Sequence, residues 1–302
     1  MMLRLVACAA ALAAAVQQTP FRAETRLVVL NATVRNDRGE VVPGLERGAF
    51  TVFENGKPQP ITLFRSDDVP ASIGLVIDNS RSMRTKRAKV EAAALAFARA
   101  SNPQDELFVL NFADRPRIDV PMTADRQTLE NGIARVDSIG GTALRDAIAL
   151  GESYLAEHAS RDRRALLVVT DGKDNASEIS ADVVTAGAQQ RGVAIYAIGL
   201  LEGSDRSDRS ARRDLERIAE ATGGASYFPL VIDQMGSVAL EVARQIRSQY
   251  TIGYTPLNQA LDGTYRRIKV TVKGPHASGP FRVVTRGGYR AVASDATSRS
   301  GS

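Results

Sequence analysis

The stretch Ser72-Ile73-Gly74-Leu75-Val76-Ile77-Asp78-Asn79-Ser80-Arg81-Ser82-Met83 decides how this chain is read. Apolar residues run to Ile77, stop at Asp78 and give way to a polar loop, after which a helical pattern begins. A short apolar run bounded by turn residues is a buried strand. In open α/β sheets, ligands bind beyond the carboxyl ends of the strands. Strand, polar loop and helix therefore deliver one carboxylate and two hydroxyls, at alternate positions, to the place where a site forms. Small oxygen donors of this kind suit a hard cation such as Mg²⁺.

Downstream, strand and helix patterns alternate. Residues 86–100 put Val90, Ala93, Ala94, Phe97 and Ala98 on one helical face. Residues 106–112 read as a strand and 117–122 as an antiparallel neighbour. Helices are expected at 125–136 and 144–159, the second entered through Ile139-Gly140-Gly141-Thr142. Residues 165–170 form a buried strand ending at Asp171-Gly172. A helix at 181–190 capped by Gly192, a strand at 193–200, a helix through 222 closed by Gly223-Gly224, a short strand at Tyr227 and a helix at 238–247 complete the series. The charged run 206–213 reads as a solvated loop before its helix. This alternation predicts an α/β fold: a doubly wound, mostly parallel sheet with one antiparallel edge strand and helices on both faces.

The flanks are different. Residues 24–36 alternate like a half-buried strand, 50–53 read as another, Glu54-Asn55-Gly56-Lys57 is a hairpin signal, and 59–64 a third strand. Beyond 248, strands are expected at 249–254, 266–272 and 281–285. Neither β piece is large enough to be stable alone. The economical plan is one small antiparallel β-sandwich built from both, residues 24–66 and 249–290, with the α/β unit, residues 70–248, inserted between them. The polar stretch 291–302 reads as a disordered tail.

Residues 1–16 carry one positive charge at Arg4 and then an Ala-rich apolar run, broken by Gln17-Gln18-Thr19-Pro20. This is the pattern of a secretory signal peptide, with cleavage near Ala13-Ala14-Ala15, and the run is too short to span a bilayer. An exported product, periplasmic, secreted or at the cell surface, is expected, with no membrane span in the mature chain. Cys8, the one cysteine, lies in this segment, so the mature chain has neither disulfide nor catalytic thiol. Leu5-Val6-Ala7-Cys8 also resembles a bacterial lipoprotein box, though almost no apolar segment precedes it.

The formal net charge is +5, with 39 basic and 34 acidic residues scattered among one another, so nucleic acid is not an expected partner. The two histidines, His158 and His276, sit in a helix tail and a turn and read as surface residues. No phosphate-binding glycine loop precedes a Lys-Ser or Lys-Thr pair. The chain is not expected to be an enzyme.

Three loops reach one end of the parallel sheet: Asp78, Ser80 and Ser82 on the first, Thr142 on the second and Asp171 on the third. Carboxylates and hydroxyls of this kind can enclose Mg²⁺ or Mn²⁺. On Asp78-Asn79-Ser80-Arg81-Ser82, Gly141-Thr142 and Thr170-Asp171-Gly172, residues 70–248 resemble the von Willebrand factor type A domain, with the D-x-S-x-S, Thr and Asp elements of its metal-ion-dependent adhesion site. Val42-Pro43-Gly44-Leu45 and the segment from Phe50 to Lys57 further resemble the flank of this domain in a group of exported acidobacterial proteins. The resemblance implies that Ser80, Ser82 and Thr142 bind Mg²⁺ (or Mn²⁺ or Ca²⁺) through their hydroxyls, while Asp78 and Asp171 act directly or through water. It implies an open coordination position that takes the Asp or Glu carboxylate of a protein partner, and movement of the last helix coupled to metal occupancy. Two alternatives stand beside this adhesion reading: an exported scaffold or assembly factor with a structural metal, and a metal-assisted hydrolase.

Overall fold

Alternation shapes the first strands. Residues 28–35 point inward at every second position, and they form β1 (Val28–Arg35). β2 (Phe50–Glu54), β3 (Lys57–Gln59) and β4 (Ile61–Arg65) follow. The computed structural model describes residues 27–133, 140–201, 206–274 and 280–292. The apolar leader with Cys8, the first residues of the strand expected from 24, the end of the helix expected at 125–136, His276 and the tail from 293 lie outside the described residues.

The α/β unit begins with β5 (Ala71–Asp78), a short 3-10 turn and α1 (Arg87–Ala100). Then come β6 (Glu106–Phe112), β7 (Pro116–Thr123), α2 (Arg126–Ile133), α3 (Leu144–His158) and β8 (Arg163–Thr170). It continues through α4 (Ala181–Arg191), β9 (Val193–Gly199), α5 (Arg206–Thr222), β10 (Ser226–Tyr227) and α6 (Met235–Arg247). The sheet order is β10-β9-β8-β5-β6-β7, parallel throughout except for β7 against β6. All eight residues of β5 are buried because the strand lies inside a sheet covered on both faces. Ile73, Leu75 and Ile77 pack with α1, α2 and α6, whereas Val76 packs with α3, α4 and α5. Gly74 is required by close approach: a Cβ there would stand 2.3 Å from the Phe108 ring.

After α6 the chain forms β11 (Tyr250–Tyr254), β12 (Tyr265–Val272), β13 (Arg282–Val284) and β14 (Gly288–Arg290). Two four-stranded antiparallel sheets result, ordered β13-β1-β11-β4 and β14-β12-β2-β3. Each mixes strands from before and after the α/β unit. One core joins them, with Leu30, Ala32, Val52, Ile252, Ile268 and Val270 among its buried members.

Three details depart from the sequence reading. The strand expected at 59–64 is split at Pro60, and its halves, β3 and β4, lie in opposite sheets. Proline offers no N–H to a ladder, so the chain crosses between sheets there. The charged run 206–213 is not a loop but the first two turns of α5. Ala211, Leu215, Ile218 and Ala219 form its buried stripe, and the arginines occupy the opposite face. The third departure is β14, which the sequence reading does not contain.

Candidate metal centre

Asp78 ends β5 and is 1% exposed. Its two oxygens are already engaged. Oδ1 accepts from the Ser80 backbone N–H at 2.8 Å, and Oδ2 accepts from the Thr170 hydroxyl at 2.6 Å. Burial pushes its pKa up to about 6, against the lowering effect of these hydrogen bonds, and the charge of Asp171 acts with burial. The loop after β5 then turns outward. The hydroxyls of Ser80 and Ser82 lie 3.1 Å apart, and that of Ser82 donates to Asp171 Oδ1 at 2.8 Å. Four of the five residues singled out in the sequence thus form one connected network. It runs from buried Asp78 and Ser80 to exposed Ser82, which marks the mouth.

Thr142 belongs to the second loop and is buried. The Arg81 N–H donates to the Gly140 carbonyl at 3.3 Å and so joins the first loop to the second. Thr142 is held through its backbone: its N–H donates to Asn175 Oδ1 at 2.9 Å, and its carbonyl accepts from Asn175 N–H at 3.1 Å. Gly140 has φ +93°, and the Gly141 N–H donates to Asp114 Oδ1 at 2.7 Å. A Cβ at Gly140 would fall 2.3 Å from that carboxylate, so the turn needs glycine twice over, for backbone conformation and for space.

Several further residues tune the site, though the sequence reading gives them no part in holding the metal. Lys86 Nζ sits 3.1 Å from Asp171 Oδ2, and both side chains are largely buried. Thr170 fixes Asp78 and also accepts from the Gly172 N–H at 3.1 Å. Asn79 donates to Asn111 Oδ1 at 2.7 Å, which ties the first loop to β6. Asp174 accepts from Arg145 and Ser177. The Asx pattern of Asp174-Asn175 suggests turn chemistry, but its partners on the second loop are distant in sequence. Lys86 carries no local signal, since one lysine among Arg81, Arg84, Arg87 and Lys89 looks like the rest.

The mouth is basic. Arg81 and Arg84 are exposed. Arg115 and Arg117 line a groove of about 400 Å³ beside Asn79. A smaller groove of about 240 Å³ is lined by Arg145 and Lys173 together with Asp174 and Asp214, and its cations are ion-paired, Arg145 with Asp174 and Lys173 with Asp208. Among the described residues no three His, Cys, Asp or Glu side chains gather into a metal cluster. The five residues contribute two carboxylates and three hydroxyls, an all-oxygen set, and they fit a hard divalent cation.

The comparisons with known proteins fall on this region. Residues 73–173 match the family model of the von Willebrand factor type A domain. This segment, from β5 to the loop after β8, is similar to the von Willebrand factor type A domain. A structure of a von Willebrand factor type A protein from Catenulispora acidiphila is 15% identical, with a TM-score of 0.52 over 92% of this chain and 76% of that one. The likeness is one of fold, and its reach extends beyond the α/β unit to the two small sheets. Proximal thread matrix protein 1 of the mussel byssus, solved with a zinc-occupied MIDAS motif, is 18% identical with a TM-score of 0.51, covering 64% of this chain and 49% of that one. Among curated sequences, an uncharacterized protein of Borreliella burgdorferi is 35% identical over 99 residues, which are 32% of this chain. The match spans only 29% of that relative's length. No helix among the described residues is long and apolar enough to cross a membrane.

Proposed function

We propose that this chain is an exported protein-binding module in which Asp78, Ser80, Ser82, Thr142 and Asp171 hold a divalent cation, Mg²⁺ first among candidates. When bound, the cation supplies a positive position open to an anionic oxygen, here the Asp or Glu carboxylate of a protein partner. The observation that carries this reading is the continuous Asp78–Ser80–Ser82–Asp171 network at the carboxyl end of the sheet. Thr170 and the Ser80 N–H preset the Asp78 carboxylate, so little ordering remains when a cation enters. The exposed Arg81 and Arg84 favour an acidic partner. Export is supported by the leader pattern in residues 1–16.

The chemistry is recognition rather than turnover. His158, a candidate base, stacks on Tyr154 and is exposed at the far end of α3, away from the site loops. The test is capture of an Asp-containing peptide by the full chain with Mg²⁺ and with chelator. Capture lost in Asp78→Ala, with circular dichroism unchanged, supports adhesion. Unfolding on chelation makes the metal structural, and Mg²⁺-dependent phosphodiester cleavage lost in Asp171→Asn supports a hydrolase.

A second reading has its own observation. Lys86 places an internal ammonium on Asp171, one of the two carboxylates the metal uses. On this reading the lysine replaces the metal and the site is vestigial, so no saturable Mg²⁺ binding is seen.

A further inference from the structure

The α/β unit and the sandwich meet at the end of the parallel sheet opposite the site loops, and a cavity of about 370 Å³ lies there. β8 connects the two places: Arg163 is its first residue, and Thr170, beside Asp171, its last. Eight strand residues span about 25 Å, so the cavity is separate from the metal centre.

The lining is strongly basic. Arg65, Arg163, Arg164, Arg191 and Arg286 line it, against one carboxylate, Asp162. Arg163 is 2% exposed. It donates from Nη1 to the Ile246 carbonyl at 2.9 Å, and from Nη2 to the Gln249 carbonyl at 3.0 Å and the Thr251 hydroxyl at 3.2 Å. Nη1 also reaches the Arg247 carbonyl at 3.5 Å, and all four acceptors are neutral. Its Nε is buried with no hydrogen-bond partner. Burial lowers the pKa of this guanidinium, and the fields of Tyr196, Asp68, Asp105 and Asp67 offset that only in part. A buried cation whose partners are neutral carbonyl and hydroxyl oxygens keeps an unmet demand for negative charge.

We propose that this junction cavity is an anion site that takes a phosphate group, free or carried on a small polar molecule. Guanidinium forks match phosphate oxygens in geometry and form charge-assisted hydrogen bonds with them. The volume is that of a small-molecule site. Arg191 also approaches Glu152 Oε2 at 3.5 Å, but burial pushes that carboxyl up to about 8. Near neutral pH Glu152 is mostly protonated, and Arg191 keeps its charge for a ligand. Arg286 donates to the carbonyls of Gln189 on α4 and Val29 on β1, so the cavity's arginines are braced from both units. An anion held here ties the sandwich to the α/β unit.

The test is titration calorimetry on the full chain at fixed ionic strength. Inorganic phosphate is the probe in one arm and glucose 6-phosphate in the other, with chloride as the control. Saturable binding in either arm, with a rise in melting temperature over chloride, is the expected result, and the tighter arm identifies the source as free or esterified phosphate. Arg191→Gln removes a partly exposed cation from the cavity lining, and Arg65→Gln removes an exposed cation from β4. Each is expected to weaken binding about tenfold, and Arg65→Gln without ligand is expected to melt like the wild type. Heats no greater than those of chloride, or equal phosphate affinity in both variants and the wild type, overturn the proposal.

Discussion

The two ends of β8 carry opposite chemistry. At the carboxyl end, Thr170 and the neighbouring loops form a network of carboxylates and hydroxyls that satisfy one another. At the amino end, Arg163 is buried among neutral carbonyls with part of its hydrogen-bonding capacity unused. On the readings proposed above, the first end suits a cation and the second an anion. What separates them is one strand of ordinary apolar residues, Ala165 to Val169, all buried. A parallel sheet exposes loops at both ends, and the side chains placed there, rather than the strands, set the sign of what can bind.

The comparison can be broken most severely at Arg163. Arg163→Ala leaves the carbonyls of Ile246 and Gln249 without a donor at the junction and opens a void. It is expected to cost about 2–5 kcal/mol, measured as a lower urea midpoint. The loss at Arg163→Lys is expected to be smaller, since an ammonium reaches one of the acceptors.

Glu152, on α3 between the two ends, gives the next effect. It is 1% exposed, its Oε1 has no partner, and its pKa is raised by burial from 4.5 to about 8, against the pull of Arg191. Between these values the unfolded chain is ionised while the folded one keeps its proton. Stability is therefore full below pH 4.5 and falls as pH rises toward 8. The decline is on the order of 3 kcal/mol. Denaturant melts from pH 5 to pH 8 should show it, and Glu152→Gln should flatten that slope.

Much of this architecture is legible in the sequence, and what is not follows a pattern. β5 announces itself because a run of buried apolar residues ends in Asp78, and the Asp-x-Ser-x-Ser spacing is local. Thr142 and Asp171 are legible because Gly-Gly-Thr and Thr-Asp-Gly also sit at element ends. Lys86, Asn175 and Asp114 are not, since their roles come from contacts across loops that only folding brings together. The same holds for Arg163, whose burial comes from β11 and the end of α6 rather than from its own neighbours. The charges of residues 206–213 hid a helix because the buried stripe of α5 is carried by few residues there.

Smaller effects sharpen the carboxyl end. Thr170→Val removes the hydroxyl that holds Asp78 Oδ2 and leaves a buried carboxylate oxygen without its donor. The expected loss is about 1–3 kcal/mol, read by thermal denaturation at pH 7. Lys86→Met removes the ammonium from Asp171. If the lysine competes with the metal, Mg²⁺ affinity should rise about tenfold, equal to about 1.4 kcal/mol, while stability without metal declines slightly.

The most direct measurement is Mn²⁺ titration of the full chain, followed by electron paramagnetic resonance of the free ion, for the wild type and for Asp171→Ala. The expected result is one saturable site per chain that Mg²⁺ displaces and that the substitution abolishes while the fold persists. Absence of saturable binding in the wild type, or equal binding in Asp171→Ala, contradicts a cation site on these three loops.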